Sequence, residues 1–153
     1  MRGQEARDQA ERKALMATLA QASGDDIARL WDEAGLTSEA ELLRGPETGL
    51  VTVRGRIGGG GAPFNVGEAT VTRATVRLPS GQVGHSYMLG RDRKKARLAA
   101  IADALWQDPA QRQTVETALV APLRVAQGEA REKRRAETAA TKVDFFTMVR
   151  GED

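Results

Sequence analysis

The spacing of hydrophobic and polar positions divides the chain into a helical beginning, an extended middle and a helical end. Residues 4–22 are rich in alanine and charge, with Leu15 and Leu19 four apart, which predicts a helix with a narrow apolar stripe. Ser23-Gly24 ends it. Asp25 or Asp26 is placed to cap a second helix, in which Ile27, Leu30, Trp31 and Ala34 fall at i, i+3, i+4 and i+7, with Gly35 closing it. From Glu39 to Leu89 the period becomes two. Val51, Val53 and Ile57 alternate with Thr52, Arg54 and Arg56, as in a half-buried strand. The segment Glu41–Arg44 is expected to pair back across a turn at residues 45–49. Gly58–Gly61 followed by Ala62-Pro63 reads as a loop.

The next strand, Glu68–Leu78, switches parity: Ala69 and Val71 share one face, Ala74, Val76 and Leu78 the other. A β-bulge near Arg73 accounts for that. Pro79-Ser80-Gly81 is a turn, and Val83, His85, Tyr87 and Leu89 then share the face expected to be apolar. These segments predict an antiparallel sheet of about four strands. After Gly90, Asp92 caps a helix to about Gln107, with Leu98, Ile101 and Leu105 on its inner face and Pro109 beyond it. A short helix from Gln111 to Val120 is expected to end before Pro122. A polar, alanine-rich helix then runs from about Leu123 to Ala140, so polar that it either bridges solvent or lies under a partner. The fold class is therefore α+β: N-terminal helices, a central antiparallel sheet, C-terminal helices and a tail. The simplest organisation is one domain, with an N-terminal helix at 1–24, a core at 25–141 and a docking tail at 142–153.

Composition changes this picture in two ways. The hydrophobic share of 41% owes much to alanine, and Leu, Ile, Val and Phe together number 30 of 153 residues. So thin a core is expected to borrow stability from other subunits. Charge is also unevenly placed. Residues 1–50 carry 6 basic and 10 acidic side chains, residues 51–100 carry 9 and 2, and residues 101–153 carry 8 and 9. A basic middle suits an anionic ligand or an acidic partner face. The chain has no cysteine, which removes thiolate chemistry and fits the cytoplasm. No apolar run approaches a membrane span.

Candidate chemistry is sparse. The glycine run lacks the Lys-Ser/Thr of a phosphate loop. His85 is the sole histidine and reads as a packed core residue rather than a base. No catalytic constellation and no metal set stands out; Glu47 is the best lone carboxylate, and it reads first as a turn cap. Arg91, Arg93 and Lys94 surround a predicted helix N-terminus, where cations are unfavourable unless an anion offsets them. With Arg73, and with Arg54, Arg56 and Arg77 extending the surface, they are the candidate anion-binding group. At the other end, Phe145, Phe146, Met148, Val149 and Arg150 place two of three phenylalanines in the last nine residues. Adjacent aromatics need a pocket, either on the chain's own domain or on a partner, and the tail is the candidate partner interface.

The wording of several segments resembles one family. KVDFFTMVRG (142–151), ETGLVTVRGRIGGGG (47–61), GEATVTRATVRL (67–78) and YMLGRD (87–92) are similar to segments of PhnG, the G subunit of the carbon–phosphorus lyase core complex. The similarity runs from about Ala34 to Gly151. The resemblance implies a non-catalytic but required subunit, with the H, I and J subunits as partners and I the most direct. It implies support for ATP-dependent ribosylation of an alkylphosphonate with adenine release, ATP being a substrate of the complex and no cofactor being bound by this chain. A homodimer of the isolated chain is compatible with this, and no membrane or nucleic-acid partner is expected. A different class of function, a nucleic-acid-binding module using the basic sheet, remains open on charge alone, although the sheet lacks interleaved aromatic platforms. So does a transferase site of the chain's own on Glu47 or His85.

Overall fold

The computed structural model describes residues 2–37 and 39–141. Helix α1 (Arg2–Gln21) and helix α2 (Gly24–Glu33) come first. The cap of α2 is Ser23 rather than either aspartate: its hydroxyl accepts the Asp26 N–H at 3.0 Å. Asp25 and Asp26 occupy the first turn instead, where carboxylates complement the helix dipole. Gly35 closes the helix with φ +60°, a conformation that favours glycine.

The sheet has three strands, not about four. Strand β1 (Glu41–Gly55), β2 (Phe64–Arg77) and β3 (Val83–Leu89) lie in the order β1-β2-β3, with both pairings antiparallel. The expected turn at residues 45–49 does not form, because 41–55 is one strand facing β2 along its whole length. The register shifts lie at 42–44 and 44–47 on β1 and at Val53/Arg54; the second stands opposite Thr75 and Arg73, so the irregularity expected near Arg73 is present, with its extra residue on β1 and not on β2. Pro46 and Gly45, which suggested a turn, sit in an edge-strand irregularity, where a proline without an N–H is tolerated. The parity switch in β2 has another cause. Only residues 71–77 of β2 carry a third strand, and 64–70 continue past it with β1 alone. The expected half-buried pattern at 51–57 therefore fails, and Val53 and Ile57 are exposed.

The buried face of β3 is also the reverse of the one that hydrophobicity predicts. Gly84, Ser86 and Met88 point inward; His85, Tyr87 and Leu89 are exposed. The reason is contact distance. Helix α3 (Arg93–Gln107) lies against the sheet so closely that a Cβ on Gly84 would stand 1.9 Å from the Ala100 carbonyl oxygen. The Ser86 hydroxyl is satisfied by donating to the Ala96 carbonyl at 2.7 Å. Helix α3 is buried on nearly every side, from Ala96 and Leu98 through Trp106, because the sheet covers one flank and α1 and α2 others. Its alanines permit that close packing.

After α3, α4 (Arg112–Val115), a π turn (Glu116–Val120) and α5 (Ala121–Ala140) follow without a break. Pro122 does not stop the helix. It occupies the first turn of α5, where a missing N–H costs little, directly after the π turn. Leu123 is the one residue of α5 buried in the core. Gln127 donates to the Thr18 carbonyl, and the exposed remainder projects beyond it, as its polarity predicts. The core itself joins Leu15, Leu19, Ile27 and Trp31 to Val76, Met88, Ile101, Leu119 and Leu123. The residues of the candidate tail, Phe145 to Arg150, lie outside those described.

Candidate functional site

Two regions gather the residues singled out above. The first is the start of α3. Arg91, Arg93 and Lys94 are all exposed there, and none forms an ion pair with another described residue. Asp92 is the cap, accepting the Lys95 N–H at 2.8 Å. The N-terminus of α2 abuts the same carboxylate, since a Cβ on Gly24 would lie 2.2 Å from Asp92 Oδ2. The positive end of α3 is thus met by the chain's own Asp92, and the three cations stand outside it on the surface. Lys95, beside them, turns inward and donates to the Ala20 carbonyl at 2.8 Å. Burial pushes its ammonium below the usual lysine value, with Asp92 partly opposing the shift.

The second region is the sheet face away from the helices. An open cleft of about 250 Å³ is lined there by Glu47, Thr48, Leu50, Val71, Arg73 and Tyr87, among others. Arg73 is not grouped with the cations of α3. Its Nε lies 2.6 Å from Glu47, and Arg44 approaches the same carboxylate at 3.6 Å. Arg77 pairs with Glu41 at 3.4 Å. Two residues of the basic surface expected at the middle of the chain, Arg73 and Arg77, are therefore matched across the β1–β2 ladder. Glu47 caps no turn; it is a strand residue in an ion pair. His85 is exposed rather than packed in the core, with Nδ1 3.2 Å from the Thr75 hydroxyl. The imidazole thus meets a hydroxyl, but among the described residues no carboxylate hydrogen-bonds its ring, and Glu47 is held by Arg73. Among the described residues no three His, Asp or Glu side chains converge as a metal site.

The most organised polar cluster was missed in the sequence. Asp103, fully buried in α3, takes two hydrogen bonds from Arg12 of α1, both at 2.7 Å. It takes a third from the His85 N–H at 2.8 Å. The hydrogen bond to Asp103, against a smaller opposing effect of burial, raises the Arg12 pKa further. A single carboxylate inside Leu98-Ala-Ala-Ile-Ala-Asp-Ala-Leu-Trp106 was the available signal, because an isolated acid in an apolar helix needs a buried partner. Its work is structural: it ties α1, α3 and the outer edge of β3 together. No helix of the described residues is long and apolar enough to cross a membrane.

The model of the family described as phosphonate metabolism protein PhnG matches residues 10–151. A protein of Rhizobium meliloti (strain 1021), named alpha-D-ribose 1-methylphosphonate 5-triphosphate synthase subunit PhnG, is 57% identical over 145 residues. Those residues cover 94% of this chain and 92% of that protein. With matches of this extent across both the helical layer and the sheet, the chain belongs to the PhnG family of phosphonate metabolism proteins.

Proposed function

We propose that this chain is a subunit of an alpha-D-ribose 1-methylphosphonate 5-triphosphate synthase within the carbon–phosphorus lyase system. The observation that carries this reading is the 57% identity to a subunit of that name along almost the full length of both chains. The complex joins an alkylphosphonate to the ribose of ATP and releases adenine. This chain's part is to hold a catalytic partner, the I subunit, in a competent shape beside H and J, in the cytoplasm. The sparse chemistry is in keeping with a supporting role: the polar pair Arg12 and Asp103 ties the fold together. The tail anchors the partner, with Phe145, Phe146, Met148 and Val149 in its pocket and Arg150 at the rim. Arg91, Arg93 and Lys94 face an acidic surface or a phosphate group of the assembled complex.

The test is co-expression with the neighbouring subunits, followed by adenine release from ATP and methylphosphonate with and without this chain. Co-purification and dependence of release on the chain are expected. Absence of both sinks the reading, and ATP turnover by the isolated chain replaces it with a catalytic one.

A further inference from the structure

Among the described residues nothing covers the outer half of the β1–β2 ribbon. Beyond Val71 the two strands continue without β3, and apolar side chains stand in water there: Leu50 (63% exposed), Ile57 (77%), Phe64 (44%) and Val66 (61%), with Val53 beside them. Leu50 and Val53, an odd number of positions apart on β1, face opposite sides, so apolar side chains are exposed on both faces of the ribbon. A two-stranded ribbon is marginal in water by itself, so a ribbon of this composition is expected to be covered in use.

The free edge of β1 points the same way. Among the described residues no strand pairs with its outer side. Natural sheets blunt such edges with proline and bulges, and β1 carries Pro46 and two register shifts between Leu42 and Glu47, with one further shift at Val53/Arg54 near its outer end. From Thr48 to Val53 the edge is regular and consists of Thr, Gly, Leu and Val. Charge then selects the occupant. Residues 48–57 and 64–69 carry Arg54 and Arg56 against a single acid, Glu68, and neither arginine has an ion pair among the described residues. Two copies of the arm laid together would bring like charges together, whereas a partner with an acidic rim would neutralise them.

We infer that residues 48–57 and 64–69 form a docking arm for a different protein subunit, one that adds a strand to the β1 edge and covers the arm with an apolar, acid-rimmed surface. The inference rests on the subunit reading above and adds to it a surface distinct from the tail.

The test uses the full chain co-expressed with the other subunits of its complex. The triple variant Ile57→Asp, Phe64→Asp, Val66→Asp alters exposed positions only and is expected to keep the unfolding temperature of the wild type. Recovery of partner subunits should fall at least tenfold. Independently of any variant, the amides of residues 48–55 in the wild-type chain should exchange at least tenfold more slowly in the complex than in the free chain. Equal recovery by the variant, or unchanged exchange in the complex, overturns the docking arm while leaving the subunit reading intact. Failure of the wild type to recover any partner overturns both. A wild-type chain that dimerises alone, and a triple variant that does not, would assign the arm to a second copy and overturn the heterologous partner.

Discussion

Replacing Arg12 with Met tests whether the buried carboxylate of Asp103 governs the attachment of α1. In the native chain Asp103 is fully buried and Arg12 about one-third exposed. Removing Arg12 strips both of its hydrogen bonds from a carboxylate that cannot reach water, leaving only the His85 N–H. Breaking a buried pair from one side typically costs about 3–5 kcal/mol. Because Arg12 is partly exposed, water can enter the space it leaves, so the lower end, about 3 kcal/mol, is expected. For a chain of this size that lowers the unfolding temperature by about 6–12 °C. Asp103→Ala acts from the other side. Arg12 can turn to solvent, and the main cost is the orphaned His85 N–H, about 1–3 kcal/mol. The double variant should cost at least about 1 kcal/mol less than the sum of the two, because the orphaned charge is gone. Urea unfolding followed by the fluorescence of Trp31 and Trp106, both buried in the core, measures all four corners of the cycle. A cost below about 1 kcal/mol for Arg12→Met, or strict additivity, would refute the reasoning.

Other outcomes follow from the same structure. Gly84→Ala drives a methyl into the α3 backbone and should cost about 3 kcal/mol or more, read from the urea midpoint. Gly67→Ala meets no atom within 4 Å and should stay within about 0.5 kcal/mol. Arg91→Glu combined with Lys94→Glu should leave stability nearly unchanged, since both side chains are exposed and unpaired, yet lower adenine release or partner recovery about tenfold. Unchanged release and recovery would remove the anion-facing role. Deleting residues 144–153 should abolish co-purification with the I subunit without lowering the unfolding temperature of the remaining chain, and intact co-purification would end the anchor proposal.

Local order was legible wherever a short-range rule acts alone. The helices over 4–22 and 27–34, the Asp92 cap, the Gly35 terminus and the turn at residues 79–81 all follow from spacing, caps and glycine placement. Two misreadings were decided by neighbouring residues. Pro122 looked like a helix stop, and the preceding π turn accommodates it. Asp25 and Asp26 looked like caps, and Ser23 one residue upstream of the helix takes that place. At the candidate site the basic residues were visible, but not that Arg73 and Arg77 already answer Glu47 and Glu41 across the ladder. Pairing between strands 26 or 36 residues apart in sequence has no local signature.

By itself the sequence determined the α+β class, the positions of α1, α2, α3 and β3, the inner faces of those helices, and the family, whose unusual strings span the sheet and the tail. Tertiary structure alone decided the extent of β1 and which side chains of β3 and of the β1–β2 ribbon are inside. Gly84 and Ser86 are buried while Tyr87 and Leu89 face solvent, because α3 approaches β3 to a distance that admits no side chain at Gly84. Likewise, Leu50, Ile57 and Phe64 are apolar yet exposed, because the β1–β2 ribbon outruns the third strand. Burial depends on what lies opposite, and hydrophobic period reports only the side chains that are available to be covered.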